Sequence, residues 1–226
     1  MTSLGAGCLQ RNAWICPDFV TSRLDIIADA LAQHIILTVV SLILGAAVAL
    51  PLGLLAFRIR RLRGLVLGGS TILYTIPSLA MFSLLVPYTG LSQLTVIVGL
   101  VLYSLTILVR NVVAGLDAVP DDVEESARGL GFDAGALLLR VQLPLALPTI
   151  FAGLRVAATS TVALTTLGIL VGYGGLGNLI FRGLQSDFKA QVLTASVLVV
   201  ALAVVADLAI LAVQRLATPW TRRAAA

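Results

Sequence analysis

The sequence predicts an all-α membrane protein with five transmembrane helices, and two observations carry that prediction. First, 59% of its 226 residues are hydrophobic, only 12% are charged, and the mean hydropathy is +1.04. A soluble domain carries roughly a quarter of its residues as Asp, Glu, Lys and Arg, so most of this surface must meet lipid. Second, the charges are segregated between uncharged runs long enough to cross a bilayer, which takes about 20 apolar residues. Backbone polar groups left unpaired in hydrocarbon are prohibitively costly, so the spans are expected to be helices.

The first span is expected over Ile35 to Phe57, which holds no charge. The uncharged run from Gly64 to Val109 is too long for one helix and right for two, with the break expected at Pro87-Tyr88-Thr89-Gly90. A fourth span is predicted over Val156 to Tyr173 and a fifth over Ala190 to Val213. Pro51 and Pro77 fall within spans and are expected to kink them, since each deletes a backbone donor. Gly45, Ala49 and Gly53 recur at four-residue spacing, which suits close approach of a neighbouring helix.

Orientation follows from the cations. Arg58-Ile59-Arg60-Arg61-Leu62-Arg63 holds four arginines in six residues. Placing it inside groups Arg110, Arg128, Arg140, Arg155, Arg215, Arg222 and Arg223 with it, leaving Arg11, Arg23, Arg182 and Lys189 outside. The N-terminus is then outside and the C-terminus cytoplasmic. The expected division is an extracytoplasmic segment over residues 1–33, a transmembrane domain over 34–215, and a cytoplasmic tail over 216–226. The sequence pI near 9.6 reflects this bias; with no basic helix or aromatic platform, nucleic acid is not an expected partner.

The longest polar stretch is the inside loop over 117–144. Pro120 followed by Asp121 and Asp122 is a strong helix start, and Gly131 a strong stop. Val123, Ala127 and Leu130 fall on one face of that helix, and a second short helix is expected over Asp133 to Gln142. Within the loop, Glu125-Ser126-Ala127, three residues, Gly131, nine residues, then Val141-Gln142-Leu143-Pro144 resembles the "EAA" loop of ABC importer permeases. That pattern is Glu-Ala-Ala, three residues, Gly, nine residues, Ile, any residue, Leu-Pro; Ser126 and Val141 are the departures.

The resemblance implies a type I (MetI-like) permease fold. It also implies a coupling helix, with Glu125, Ser126, Ala127, Gly131, Val141, Leu143 and Pro144, that docks a separate ATPase. It further implies two ATPase subunits holding ATP and Mg²⁺, a second identical or homologous permease, and a solute-binding protein outside. The setting is a bacterial plasma membrane. No phosphate-loop Gly-x-x-x-x-Gly-Lys-Ser/Thr occurs in the chain, and Lys189 is its only lysine. The chain is thus expected to be a non-enzymatic subunit without a cofactor of its own. The segment from Gly168 to Ile180, Leu143-Pro144-Leu145-Ala146-Leu147-Pro148, and Ala152-Gly153-Leu154-Arg155 resemble the osmoprotectant branch. That branch imports glycine betaine, choline, carnitine and proline betaine. Another small solute such as an amino acid is the alternative substrate. An ion channel would not need the docking loop, and a membrane-embedded enzyme would need a constellation of acid, base or metal ligands.

Other features have plainer readings. Gly172, Gly174 and Gly177 match a dinucleotide fingerprint but follow a span rather than a strand, and with Gly175 are read as a flexible external hinge or gate. His34, the one histidine, is read as structural at the outer start of the first span. Asp207 is the one acid within a predicted span and so marks an intramembrane polar site with Arg155; a structural pair with such an inside arginine is expected ahead of a transport role. The tyrosines are scattered, so no cage for an ammonium ion is legible. Cys8 and Cys16 are read as two unpaired thiols ahead of a bridge, which an extracytoplasmic segment would allow and the spacing leaves open, and no metal site is expected.

Overall fold

The computed structural model describes residues 7–222 and, among them, contains helices and no strands. Arg223 and residues 1–6 and 224–226 lie outside the described residues. In chain order, α1 is Pro17–Ser22, α2 Leu24–Arg58, α3 Arg60–Thr75, α4 Ser78–Thr89 and α5 Gln93–Asp117. They are followed by α6 Asp121–Gly129, α7 Ala134–Leu137, a π turn at Leu138–Gln142 and α8 Leu143–Thr165. A 3₁₀ segment at Thr166–Val171 leads to α9 Leu176–Gln185 and α10 Lys189–Ala217, with a last 3₁₀ turn at Pro219–Arg222.

Among the described residues, four helical stretches are long and apolar enough to cross a membrane, and five if α3 and α4 count together as one broken span. The all-α, multi-span expectation is therefore borne out, with three local differences. The α2 helix begins at Leu24, well before Ile35, because Asp25 and Asp29 occupy its exposed first turns, where an acid also opposes the helix dipole. The chain breaks rather than kinks at Pro77: Ile76 and Pro77 take extended backbone (ψ 125° and 137°), and α3 and α4 meet at a 99° bend. Pro51, by contrast, lies inside a helix that runs on past it. Finally, α8 starts at Leu143, so Arg155 sits near its middle instead of ahead of it. The turn expected at Pro87–Gly90 is where α4 ends, with Gly90 at φ +69°.

The chain forms two compact units. One comprises residues 1–41, 77–100 and 161–204. Its buried clusters gather Phe19, Ile27, Leu176 and Leu179 in one group, and Leu37, Phe82, Val96 and Leu100 in another. The second comprises residues 42–76, 101–160 and 205–226. There the small-residue face of α2 lies on α5: Ala49 is fully buried, a Cβ at Gly45 would strike the Ser104 hydroxyl, and one at Gly53 would meet Val112 at 2.5 Å. Deeper in that unit, Val112 and Leu116 of α5 pack with Ala146 of α8 and Leu138 of the π turn.

Candidate coupling site

The α6 helix opens from Pro120, whose extended backbone (φ −64°, ψ 139°) lets the chain turn into the helix. Asp121, Asp122 and Glu124 occupy its first turn and Arg128 its last, so each charge opposes the nearby end of the helix dipole. At the other end Gly131 adopts φ +85°. Its N–H donates to the Arg128 carbonyl at 2.9 Å and the Phe132 N–H to the Ala127 carbonyl at 3.2 Å. These two bonds are the Schellman closure of a helix. A Cβ at Gly131 would meet nothing within 4 Å, so conformation rather than space demands glycine there.

The motif residues divide by face. Glu125 and Ser126 are exposed, whereas Ala127 is 7% exposed and turned into the unit's own packing. Ala127 thus serves internal packing, not the docking surface expected of it. Leu130, assigned by periodicity to the Val123–Ala127 face, is 80% exposed because it is the cap residue, past the last helical turn. Val141, Leu143 and Pro144 are half-buried where the loop returns into α8.

Side chains that the motif does not include hold this helix in place. Gln142 donates to the Glu124 carboxylate at 2.5 Å, and Arg128 reaches the same carboxylate at 3.4 Å. Asp133 caps α7 by accepting from the N–H groups of Gly135 (2.8 Å) and Ala136 (2.7 Å). The arginine loop joins in: Arg63 makes a two-pronged ion pair with Asp117, and Arg58 donates to the Ala134 carbonyl at 3.5 Å. The result is an exposed patch of Glu125, Ser126 and Leu130 on a helix fixed from both ends. Gln142 carried one visible signal, a lone amide between the apolar Val141 and Leu143 at the edge of an uncharged run.

The remaining candidates lie elsewhere. Arg155 donates through Nε and a terminal nitrogen to both oxygens of Asp207, at 2.7 and 2.8 Å. Arg155 follows Leu143 by twelve residues and Asp207 precedes Ala217 by ten. At 1.5 Å per residue the pair is roughly 15–18 Å from those helix ends, which corrects the placing of Arg155 with the loop cations.

The glycine segment is a packed corner rather than a flexible hinge. Gly174, Gly175 and Gly177 are buried, and Gly172 and Gly175 take φ +84° and +55°. Asn178 accepts from the Gly174 N–H at 3.1 Å and donates to the Gly172 carbonyl at 3.3 Å, while Gln33 accepts from the Gly175 N–H at 3.0 Å. Added Cβ atoms at Gly174, Gly175 and Gly177 would meet Ile169, His34 and Thr166 respectively. His34 is fully buried behind this corner, one ring nitrogen 3.0 Å from the Val162 carbonyl.

Cys8 and Cys16 are joined in a disulfide, which overturns the expectation of free thiols; eight residues of spacing did not disclose that their Cα atoms lie 5.4 Å apart. Tyr74 and Tyr103 stack edge to face (5.8 Å), and the Tyr103 hydroxyl donates to the Ile76 carbonyl at the end of α3, so both tyrosines pack that end.

Residues 41–223 match the family described as the binding-protein-dependent transport system inner membrane component. The chain belongs to this family. As such a component it is a multi-pass membrane transport subunit and not an enzyme, it has no cofactor of its own, and it works with an ATPase and a solute-binding protein. The chain is 38% identical over 192 residues to the glycine betaine/carnitine/choline transport system permease protein OpuCD of Bacillus subtilis, covering 84% of each. It is 34% identical to the carnitine transport permease protein OpuCB of Listeria monocytogenes, covering 85% of this chain and 88% of that one. Among solved structures, the MetNI methionine ABC transporter in an inward-facing conformation has a chain of the same fold. The TM-score is 0.79 at 23% identity, over 87% of this component and 98% of that chain.

Proposed function

We propose that this permease forms the inward path for quaternary ammonium osmoprotectants (glycine betaine, choline, carnitine and proline betaine) and that α6 couples it to a separate ATPase. The observation that carries the coupling is the exposed Glu125–Ser126–Leu130 patch on a helix held by Gln142, Arg128 and the Gly131 cap. A helix that transmits force must be tied to what it moves, and Gln142 ties the first turn of α6 to the start of α8. The helix is acidic in its first turn and its patch shows one large apolar side chain, Leu130, unlike an interfacial helix with several apolar anchors and a cationic face. The relatives' names support the substrate class.

In this reading the loop over 117–144 faces the cytoplasm, the segment over 1–33 lies outside, and 216–226 forms a cytoplasmic tail. The Cys8–Cys16 disulfide supports an outside N-terminus, since such bonds persist in oxidising compartments. Two permease halves, identical or homologous, each dock one ATPase subunit, which binds ATP and Mg²⁺, in a bacterial plasma membrane. A solute-binding protein delivers the solute, and the glycine corner at Gly172–Gly177 moves as one rigid piece of the outer gate.

The test is uptake of labelled glycine betaine into cells expressing the complete transporter, with unlabelled competitors. Competition by choline and carnitine but not by methionine supports the reading. Absence of saturable glycine betaine uptake, with saturable uptake of a labelled amino acid by the same cells, would assign the permease to the alternative substrate class.

A further inference from the structure

Residues 8–16 form a short loop closed by the Cys8–Cys16 disulfide. Asn12, at φ +48°, uses both ends of its amide to pin this loop to the turn between α9 and α10. Its nitrogen donates to the Asp187 carbonyl at 2.5 Å and its oxygen accepts from the Lys189 N–H at 3.0 Å. Next to it Phe19, 2% exposed, packs edge-on against Phe188 with ring centres 5.1 Å apart. The loop is thus held at several points, yet it presents Ile15 at 79% and Trp14 at 54% exposure.

Beside these two side chains runs an apolar groove of about 340 Å³, lined by Trp14, Ile15, Pro17, Val20, Leu193 and Val197. A second furrow of about 350 Å³, lined by Ser196, Val197, Val200 and Ala201, continues it along α10 through the shared Val197. Both open onto the exposed stripe of Val197, Val200, Val204 and Val205. That stripe belongs to a helix of membrane-spanning length in a membrane component.

A fixed loop that shows Ile and Trp to water forgoes the favourable burial of their apolar surface. Seated against hydrocarbon, the same side chains are satisfied, and an indole suits the boundary because its ring is apolar while its N–H finds a headgroup or water. The continuity of the groove with the α10 stripe selects lipid over a soluble partner.

We propose that the disulfide-closed loop and the outer turns of α10 form a phospholipid-binding site. Trp14 and Ile15 insert at the bilayer boundary, and the furrow along Leu193, Val197 and Val200 holds an acyl chain. The inference rests on α10 spanning the membrane and is independent of which solute is carried.

The test uses the intact transporter reconstituted into vesicles of phosphatidylcholine or its brominated form. The difference between complexes carrying Trp220→Phe and Trp14→Phe with Trp220→Phe isolates the emission of Trp14. The expected result is blue-shifted emission that is weaker in brominated than in plain vesicles and indifferent to aqueous iodide. Emission quenched by iodide and unaffected by brominated lipid would overturn the proposal, leaving the loop in water. Blue-shifted emission immune to both quenchers would overturn it in favour of a protein cover such as the solute-binding protein. Native mass spectrometry supplies a second readout: Val197→Trp fills the furrow and is expected to remove one retained phospholipid per chain. An unchanged lipid count would contradict the acyl-chain site.

Discussion

Gln142 donates a 2.5 Å hydrogen bond to the carboxylate of Glu124, eighteen residues earlier, and so ties the start of α8 to the first turn of α6. The bond is made from the π turn at Leu138–Gln142, whose extra residue resets which side chains face inward, and it leaves Gln142 6% exposed. Any displacement of α6 is thereby passed directly to a long helix of the permease.

Gln142→Met is expected to remove this tie while keeping side-chain volume. Hydrogen bonds to charged groups contribute about 1.5–3 kcal/mol, and Glu124 keeps Arg128 as a partner. Amide exchange in α6 should therefore accelerate about tenfold, with little change in the thermal midpoint of the whole chain. Uptake per ATP hydrolysed should fall. Unchanged exchange in α6 would show that the helix is held by other means.

Glycines in this chain differ sharply in what they tolerate. A Cβ at Gly177 would strike the backbone of Thr166, whereas one at Gly69 meets nothing within 4 Å. Gly177→Ala is expected to destabilise by about 1–3 kcal/mol through overpacking, and Gly69→Ala to be neutral or slightly stabilising in its helix. Thermal unfolding in detergent distinguishes them, and equal midpoints would remove the packed-corner description of Gly172–Gly177.

Much of the candidate site was legible because its signals are local. Pro120, the acids after it and Gly131 mark the two ends of α6, and the structure places the helix between them. The face assignment failed at Leu130, since helical periodicity stops applying at the cap. The start of α8 was missed for a different reason. Arg155 ends an uncharged run, so hydropathy counts it as loop, and its neutralising partner Asp207 lies 52 residues away. The same non-locality hid the Cys8–Cys16 bridge and the Gln142–Glu124 tie. Pro77 was visible, but whether a proline kinks a helix or ends it depends on what satisfies the carbonyls around it. Here the Ile76 N–H takes the Leu73 carbonyl that Pro77 frees, and the Tyr103 hydroxyl takes that of Ile76.

The Arg155–Asp207 pair bridges α8 and α10 with both side chains only partly exposed, at 33% and 28%. Removing one partner strands the other charge, whereas removing both does not. Asp207→Asn and Arg155→Met should each lower the thermal midpoint, and Arg155→Met with Asp207→Leu should recover most of the loss. A double variant as unstable as the sum of the singles would show that the two residues act independently.

Cys8→Ser is expected to destabilise the N-terminal loop by about 2–3 kcal/mol, the chain-entropy value for a ring of this size. In the native chain neither cysteine should react with a maleimide before reduction. Labelling of unreduced protein would contradict the bridge.

The most direct test of the coupling account is affinity purification of the permease from native membranes with mass spectrometry of its partners, repeated with Leu130→Asp. Leu130 is 80% exposed and has ordinary backbone angles (φ −80°, ψ 4°), so the substitution leaves the helix and its cap intact. The account predicts a phosphate-loop ATPase with the native chain and its loss from the variant, at equal permease abundance and thermal midpoint. An ATPase retained in full by the variant, or absent from the native complex under conditions that preserve membrane assemblies, would contradict it.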